Sequence, residues 1–410
     1  MCRLVRAGNV TAGEGREDLD AKLAAFLAGG HIAELDLSTV VTLAAEALDL
    51  APVQVYLADL QQRQLIPLTA PADPLPVDDS AGGWAYRKQS LHVEEGARDI
   101  TVWLPLIDGA ERLGVLAVPT PAVDPSFLLR SRALASLLAP LITSKRAFKD
   151  SVVQRTRTET MGLPAEMLRA LLPPRTIGTP RIVSTAVMEP AYEIGGDAYD
   201  HALTTTTLHA AVVDAMGHDL SSGLTAAVAL AACRNARRTG SDLSELTSAV
   251  DEALGAWLPD QFCTAVLIQL DLATGALRWI NCGHPPPLLV RGPRLVSEAM
   301  EREPDVPMGL PALLTEAPRQ VHQIALEPGD RVLLHTDGIT EARLADGEEF
   351  GADRFAQAVI HAASTGEPAP ETLRRLIHSV LDASENKLRD DATILLLEWN
   401  PPSTSGPAAE

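Results

Sequence analysis

Aromatic residues make up only 4% of the chain, and its four cysteines, Cys2, Cys233, Cys263 and Cys282, stand far apart. No two form a C-x-x-C pair. That argues against a zinc cluster or a disulfide framework and suits a reducing, cytoplasmic setting. Long basic runs are missing too. Against 34 Lys and Arg stand 54 Asp and Glu, for a net charge of −20. Nucleic acid is therefore not an expected partner, whereas divalent cations or basic proteins are. No apolar run approaches the roughly 20 residues of a membrane-crossing helix, so no membrane span is expected. The opening, MCRLVRAGNVTAGEGREDLD, has no apolar core and does not read as a signal peptide. What is present is 46% apolar residues, ample for real cores, over 410 residues, which point to two or three domains.

The first 18 residues read as unstructured, and helical patterning follows from Leu19 to Leu50. VQVYL at 53–57 reads as a strand, and 69–83 as a loop. TVWLPLI (101–107) and RLGVLAV (112–118) flank an Asp-Gly turn, the signal of a hairpin. A helix is expected from about 126 to 148. This first domain, 19–147, is thus α+β. It offers no paired acids, no metal-like cluster and no phosphate loop, which points to regulation rather than catalysis. Residues 148–174 form a connector in which Pro164 opens a helix and Pro173-Pro174 closes it. Leu168, Leu171 and Leu172 share one face. They serve either an ordinary linker packed on the second domain or a helical switch or dimer contact. From 181 onward strands dominate, interrupted by pairs of helices, which suggests two sheets with helices outside. The tail, PPSTSGPAAE, reads as disordered.

Four apolar strands of this second region carry an aspartate at or near an end: Asp197, Asp214, Asp337 and Asp391. Taken singly, each is best read as a turn or cap residue. Three of the four lie beside small residues, namely Gly195-Gly196, Ala215 and Gly338, which allow close backbone approach. Carboxylates gathered in one cleft repel one another unless cations offset their charge. Mg²⁺ and Mn²⁺ prefer such oxygen ligands, and a pair about 4 Å apart can activate water and hold a phosphoryl oxygen. His209, His218, His284 and His335 are too dispersed to form a zinc motif. Spacing lets one hairpin carry Asp197 and Asp214 to a common mouth, but does not show that Asp337 and Asp391 join them.

The segments EIGGDAYD, VVDAMGHD, LDLATGALRWINCGHPPPLLV, VLLHTDGITEA and RDDATILLL follow one another in a known order. They resemble the metal-dependent serine/threonine protein phosphatases. The closer likeness is to the bacterial branch that includes the sporulation stage-two-E phosphatase and the stress-response phosphatases of sigma-factor partner switching. The resemblance covers about 178–398. It implies an α-β-β-α sandwich and two Mn²⁺ or Mg²⁺ ions. It also implies that Asp214 bridges both metals, that Ala215 offers its backbone carbonyl where many relatives have Gly, and that Asp197 is a direct or water-mediated ligand. Asp337 and Asp391 match the acids of the second metal, with Asp390 an adjacent alternative to Asp391. Gly196, Gly217, His218, His284 and Gly338 fall in loops near the site, and His218 and His284 are the candidates for a general acid. Asp214 and Asp337 are the expected catalytic acids.

The implied substrate is a phosphoserine or phosphothreonine protein, such as an anti-sigma-factor antagonist. Two other readings stand beside it: a catalytically silent scaffold, and a hydrolase of small phosphorylated molecules. VQVYLADLQQRQLIPL and TVWLPLIDGAERLGVLAV resemble a GAF-type sensor module. That likeness implies a small-molecule effector or, equally, a dimerisation module. Glu341 is read as a cap as readily as a catalytic group.

Overall fold

The computed structural model describes residues 12–401, apart from 30–33, 51, 70, 97–98, 194, 218, 311–317, 345 and 387. The chain divides into two compact units, Met1–Thr158 and Glu159–Glu410.

The first unit runs α1 (Ala12–Ala28), α2 (Leu37–Ala47), β1 (Gln54–Ala58), β2 (Gln64–Pro67), β3 (Leu75–Pro76), α3 (Ala81–Lys88), β4 (His92–Glu95), β5 (Ile100–Asp108), β6 (Glu111–Thr120), α4 (Pro125–Arg146) and α5 (Asp150–Thr156). Its strands form one antiparallel sheet in the order β3-β2-β1-β6-β5-β4. One core joins Val55, Leu57, Leu104 and Leu116 of the sheet to Val41 of α2 and Leu134, Leu138 and Ile142 of α4. A separate cluster of Tyr56, Tyr86, Trp103 and Val115 fills the α3 side. By length and hydropathy α4 would cross a bilayer, but in this unit Phe127, Leu134, Leu138 and Ile142 are buried in that core.

Two sequence expectations are corrected here. Helix begins at Ala12, within the stretch read as unstructured; residues 1–11 and 402–410 lie outside the described residues. The helical patterning of 19–50 corresponds to α1 and α2. The expected loop 69–83 contains β3 and the start of α3. Ser80 caps α3 by accepting a hydrogen bond from Gly83 N at 2.9 Å. Gly82 and Gly83, which read as loop residues, are there because a Cβ at Gly82 would stand 2.8 Å from the Trp103 ring. The segment 148–174 is divided between the units. α5 falls in the first, and α6 (Leu163–Leu171) in the second.

After α6 the second unit runs β7 (Thr176–Thr179), β8 (Ile182–Glu189), β9 (Asp197–Leu203), β10 (Thr207–Ala215), α7 (Leu220–Arg238), α8 (Leu243–Trp257), β11 (Cys263–Asp271), β12 (Ala276–Cys282), β13 (Leu288–Arg291), β14 (Arg294–Leu295), β15 (His322–Ala325), β16 (Arg331–His335), α9 (Asp337–Thr340), α10 (Gly351–Ser364), α11 (Ala369–Ala383) and β17 (Ala392–Trp399). Two antiparallel sheets result, ordered β15-β12-β11-β10-β9 and β14-β13-β16-β17-β8-β7. β17 shows why the sequence reads as an unbroken apolar run. Leu395 and Leu397 join the core shared with Val213, Val266 and Leu230 of α7. Ile394 and Leu396 join the opposite cluster, with Phe355 of α10 and Leu376 of α11. A strand buried on both faces has no polar alternation to display.

Local signals fix the ends. Asp219 caps α7 through Ser221 N at 2.8 Å and Ser222 N at 3.1 Å. Asp242 and Glu245 form a capping box at α8. Asp200, at 4% side-chain exposure, pairs with Arg234 and Arg237 of α7. Burial pushes its pKa up, but the two guanidinium groups outweigh that and hold it below the usual carboxylate range. Arg234 also donates to Leu171 O at 2.7 Å, which ties α6 to α7.

Candidate active site

Asp197 opens β9 and Asp214 lies near the end of β10, and the two are direct cross-strand partners. Thr264 of β11 is the partner of Asp214 on its other side. One edge of the first sheet therefore presents Asp197, Asp214 and Thr264 in a row. The second sheet supplies Asp391, immediately before β17, and Asp337, the first residue of α9.

Backbone geometry binds the halves together. Asp391 Oδ2 accepts hydrogen bonds from Gly195 N (2.7 Å), Gly196 N (2.7 Å) and Asp197 N (3.2 Å). Thr336, fully buried between β16 and α9, donates its hydroxyl to Asp197 Oδ2 at 2.8 Å and accepts from Thr393 N at 2.9 Å. Two glycines are required by these approaches. A Cβ at Gly196 would lie 2.5 Å from Ala215 O and 2.6 Å from Gly217 O, and one at Gly338 would lie 1.9 Å from Asp391 O. The Asp-Gly pair at 337–338 is thus no hairpin turn. It opens a short helix pressed against the start of β17.

The acids share one electrostatic field. Burial, then Asp214 and Asp391, push Asp197 well above the usual carboxylate range. Burial, then Asp337, Asp390, Asp391 and Glu341, raise Asp214 to about 7. Asp337 is raised by burial and by Asp390. Asp391 is raised by burial, which its three backbone N–H donors only partly offset. Glu341, the residue after α9, is raised by burial and by Asp337. Among the described residues, no salt bridge reaches Asp197, Asp214, Asp337 or Asp391.

Such a site calls for cations. No three His, Cys, Asp or Glu side chains among the described residues already stand at metal-ligand spacing. The donors are nonetheless all oxygens, and Asp391 has Oδ1 to spare. The Asp214 carboxylate has no hydrogen-bond partner among the described residues. An open, oxygen-only, negatively charged mouth fits a hard divalent ion that keeps several waters. It does not fit zinc, since the nearby histidines are turned elsewhere. His335 is buried and neutral, its pKa lowered to about 4 by burial. Its Nδ1–H donates to Thr336 O at 3.1 Å.

Of the sequence candidates, Asp197, Asp214, Asp337, Asp391, Ala215, Gly196, Gly217 and Gly338 come to this mouth. Asp390 is exposed and accepts from Asp391 N at 2.9 Å. His218 lies outside the described residues. His284 is corrected as a general acid: burial lowers its pKa to about 3, so near neutral pH its ring is the neutral imidazole and not the acidic imidazolium. Sequence reading missed Thr264 and Thr336. Only Thr336 carried a signal, a hydroxyl one place before the Asp-Gly pair.

Protein IcfG of Synechocystis is 24% identical over 139 residues, 34% of this chain and 21% of that protein. The chain thus spans about a fifth of that curated relative. Solved structures include the SiaA-PP2C domain of Pseudomonas aeruginosa, at 22% identity and TM-score 0.47, covering 53% of this chain and 86% of that one. The Mycobacterium tuberculosis serine/threonine phosphatase PstP gives 17% identity and TM-score 0.39, covering 54% and 99%. Neither of these TM-scores reaches 0.5. Residues 204–400 match the family model of Stage II sporulation protein E (SpoIIE). That segment, which contains Asp214, Asp337 and Asp391, is similar to the SpoIIE family.

Proposed function

We propose that the second unit hydrolyses phosphoserine or phosphothreonine on a protein, with Mn²⁺ or Mg²⁺ held by Asp197, Asp214, Asp337, Asp391 and the Ala215 carbonyl. The observation that carries this is the gathering of carboxylates from β9, β10, α9 and the start of β17 without a salt bridge among the described residues. When bound, divalent ions supply charge to offset the phosphoryl oxygens and acidify an attacking water. The chain's own part is positional. Asp214 stands at the centre of the row, and Thr336 fixes one oxygen of Asp197. Gly195 and Gly196 hold one oxygen of Asp391 and leave the other for an ion.

The first unit is read as a GAF-like regulatory domain, supported by a six-stranded antiparallel sheet with helices on both faces. A homodimer, a small-molecule effector and a sigma-factor-pathway substrate belong to the same proposal. The test is phosphate release from a phosphoserine protein and from p-nitrophenyl phosphate, each with Mn²⁺ and with EDTA. Metal-dependent release from the protein substrate is expected. Release from the small ester alone would move the assignment to small-molecule hydrolysis.

A further inference from the structure

Among the described residues, seven large apolar side chains of the second unit are exposed, and five of them are Leu163, Met216, Leu220, Leu224 and Trp257. Chain geometry draws these five together. Met216 leaves β10 directly after Ala215, and Leu220 opens α7. Leu224 lies one turn further, on the same side of the helix. α8 packs back along α7 as a helical hairpin. α7 has 19 residues and α8 has 15, so Trp257, the last residue of α8, comes level with the start of α7. Residues 258–262 then carry the chain to Cys263, the strand partner of Ala215. α6 begins against the same stretch of α7. A Cβ at Gly223 would lie 3.6 Å from Pro164 Cβ and 3.1 Å from Met167 Cε, which sets Leu163 at the edge of the face.

This face is continuous with the acidic mouth. The same Cβ at Gly223 would stand 3.0 Å from Gly195 O, and Gly195 N donates to Asp391. From Leu220 to Cys233 α7 carries no charged residue. Exposure of the five side chains runs from 44% for Leu224 to 78% for Trp257. Large apolar groups gathered in this way mark a surface that another molecule covers, and tryptophan is among the residue types that anchor such contacts. Position and charge name the occupant. A second copy seated here would bring its own carboxylates up to those of the first, like charge against like. A substrate protein must approach this rim in any case to place its phosphate among the acids. Carboxylates offer a phosphorylated chain no attraction of their own, so the hold on the rest of the protein falls to the uncharged surface beside them.

We propose that this face, built from the start of α7 and the end of α8, docks an apolar segment of the protein substrate next to its phosphorylated residue. The proposal rests on the phosphatase reading for the nature of the occupant. It adds to that reading a physical reason to prefer a protein over a small ester: p-nitrophenyl phosphate fills the mouth and gains nothing from the face beside it.

Three synthetic phosphoserine peptides test it on the full-length chain with Mn²⁺. One has only Gly and Ala around the phosphoserine. The other two add a segment with leucines at helical spacing, one before and one after the phosphoserine. At least one leucine segment should raise kcat/KM about 10-fold, the scale of burying one large apolar side chain. Leu224→Glu and Trp257→Ser, both at exposed positions, should each lose most of that gain and hydrolyse p-nitrophenyl phosphate as fast as wild type. No gain in the wild type, or a gain that survives both variants, overturns the docking surface. A wild-type dimer that Leu224→Glu turns into a monomer in sedimentation overturns it in favour of self-association. Fluorescence decides docking without catalysis. The favoured leucine peptide should blue-shift the emission of wild type and leave that of Trp257→Phe unchanged, and a missing shift overturns the docking. An inactive wild type that still shows the shift overturns the phosphatase reading, and with it the substrate as occupant, while the apolar docking face stands.

Discussion

Replacing Asp214 by Asn in the metal-free protein should make the second unit more stable at pH 8, not less. The carboxylate rises from 3.8 to about 7 in the folded state. That is roughly three pH units, or about 4 kcal/mol at about 1.4 kcal/mol per unit. The neighbouring acids readjust when one charge is removed, so about 4 kcal/mol is an upper limit and about 2 kcal/mol a working figure. The sign follows from proton linkage. Below about pH 4 Asp214 is protonated in both states and imposes no penalty. Between about pH 4 and 7 the folded state holds a proton that the unfolded chain releases, so stability falls as pH rises. Above about 7 both states are ionised and the whole penalty is present. Buried His201, His284 and His335, lowered to about 4, 3 and 4, give the opposite slope below their usual 6.5. They are common to both proteins and cancel in the difference. The assay is calorimetric unfolding in EDTA from pH 4 to 8, following the transition of the second unit. Wild-type stability minus that of Asp214→Asn should fall steadily across pH 4–7 and then level. A difference that stays flat, or a variant less stable than wild type at pH 8, would refute the claim that Asp214 sits in an uncompensated acidic field.

Other perturbations give sharper local outcomes. Gly338→Ala forces a Cβ to 1.9 Å from Asp391 O. Calorimetry should show a loss of at least about 2 kcal/mol, together with loss of Mn²⁺-dependent phosphate release. Thr336→Val removes the bond to Asp197 and leaves Thr393 N without its acceptor. A cost of about 1–3 kcal/mol in urea unfolding is expected. Asp200→Asn strands Arg234 and Arg237 in a largely buried setting. Thermal unfolding should register about 3–5 kcal/mol, and raising the salt concentration should recover little of it.

The sequence carried the acids well because each sits at the end of an apolar run, where a charged residue interrupts the pattern visibly. It carried the second unit's layering for a related reason: long apolar strands bracketed by capped helices have few other ways to bury both faces. Thr264 was invisible, since its place beside Asp214 depends on the register of β10 against β11, and a lone threonine leaves no mark. His284 was misread for a similar reason. Its proximity to the mouth is legible in the Asn-Cys-Gly-His run, but its depth and the hydrogen bonds that Asn281 makes to its backbone are tertiary facts. In the first unit α3 was lost because Gly82 and Gly83 resemble loop residues, whereas the close approach of Trp103 and of Val77 O is what demands them.

The central claim is that the acids of β9, β10, α9 and β17's threshold serve phosphate hydrolysis through divalent ions. Its most direct test is a Mn²⁺ titration of EDTA-stripped protein against a phosphoserine protein substrate, with wild type and Asp214→Asn side by side. The account predicts saturable restoration of phosphate release in the wild type and none in the variant at any Mn²⁺ concentration. Equal release from both proteins, or release that persists in EDTA, would contradict it.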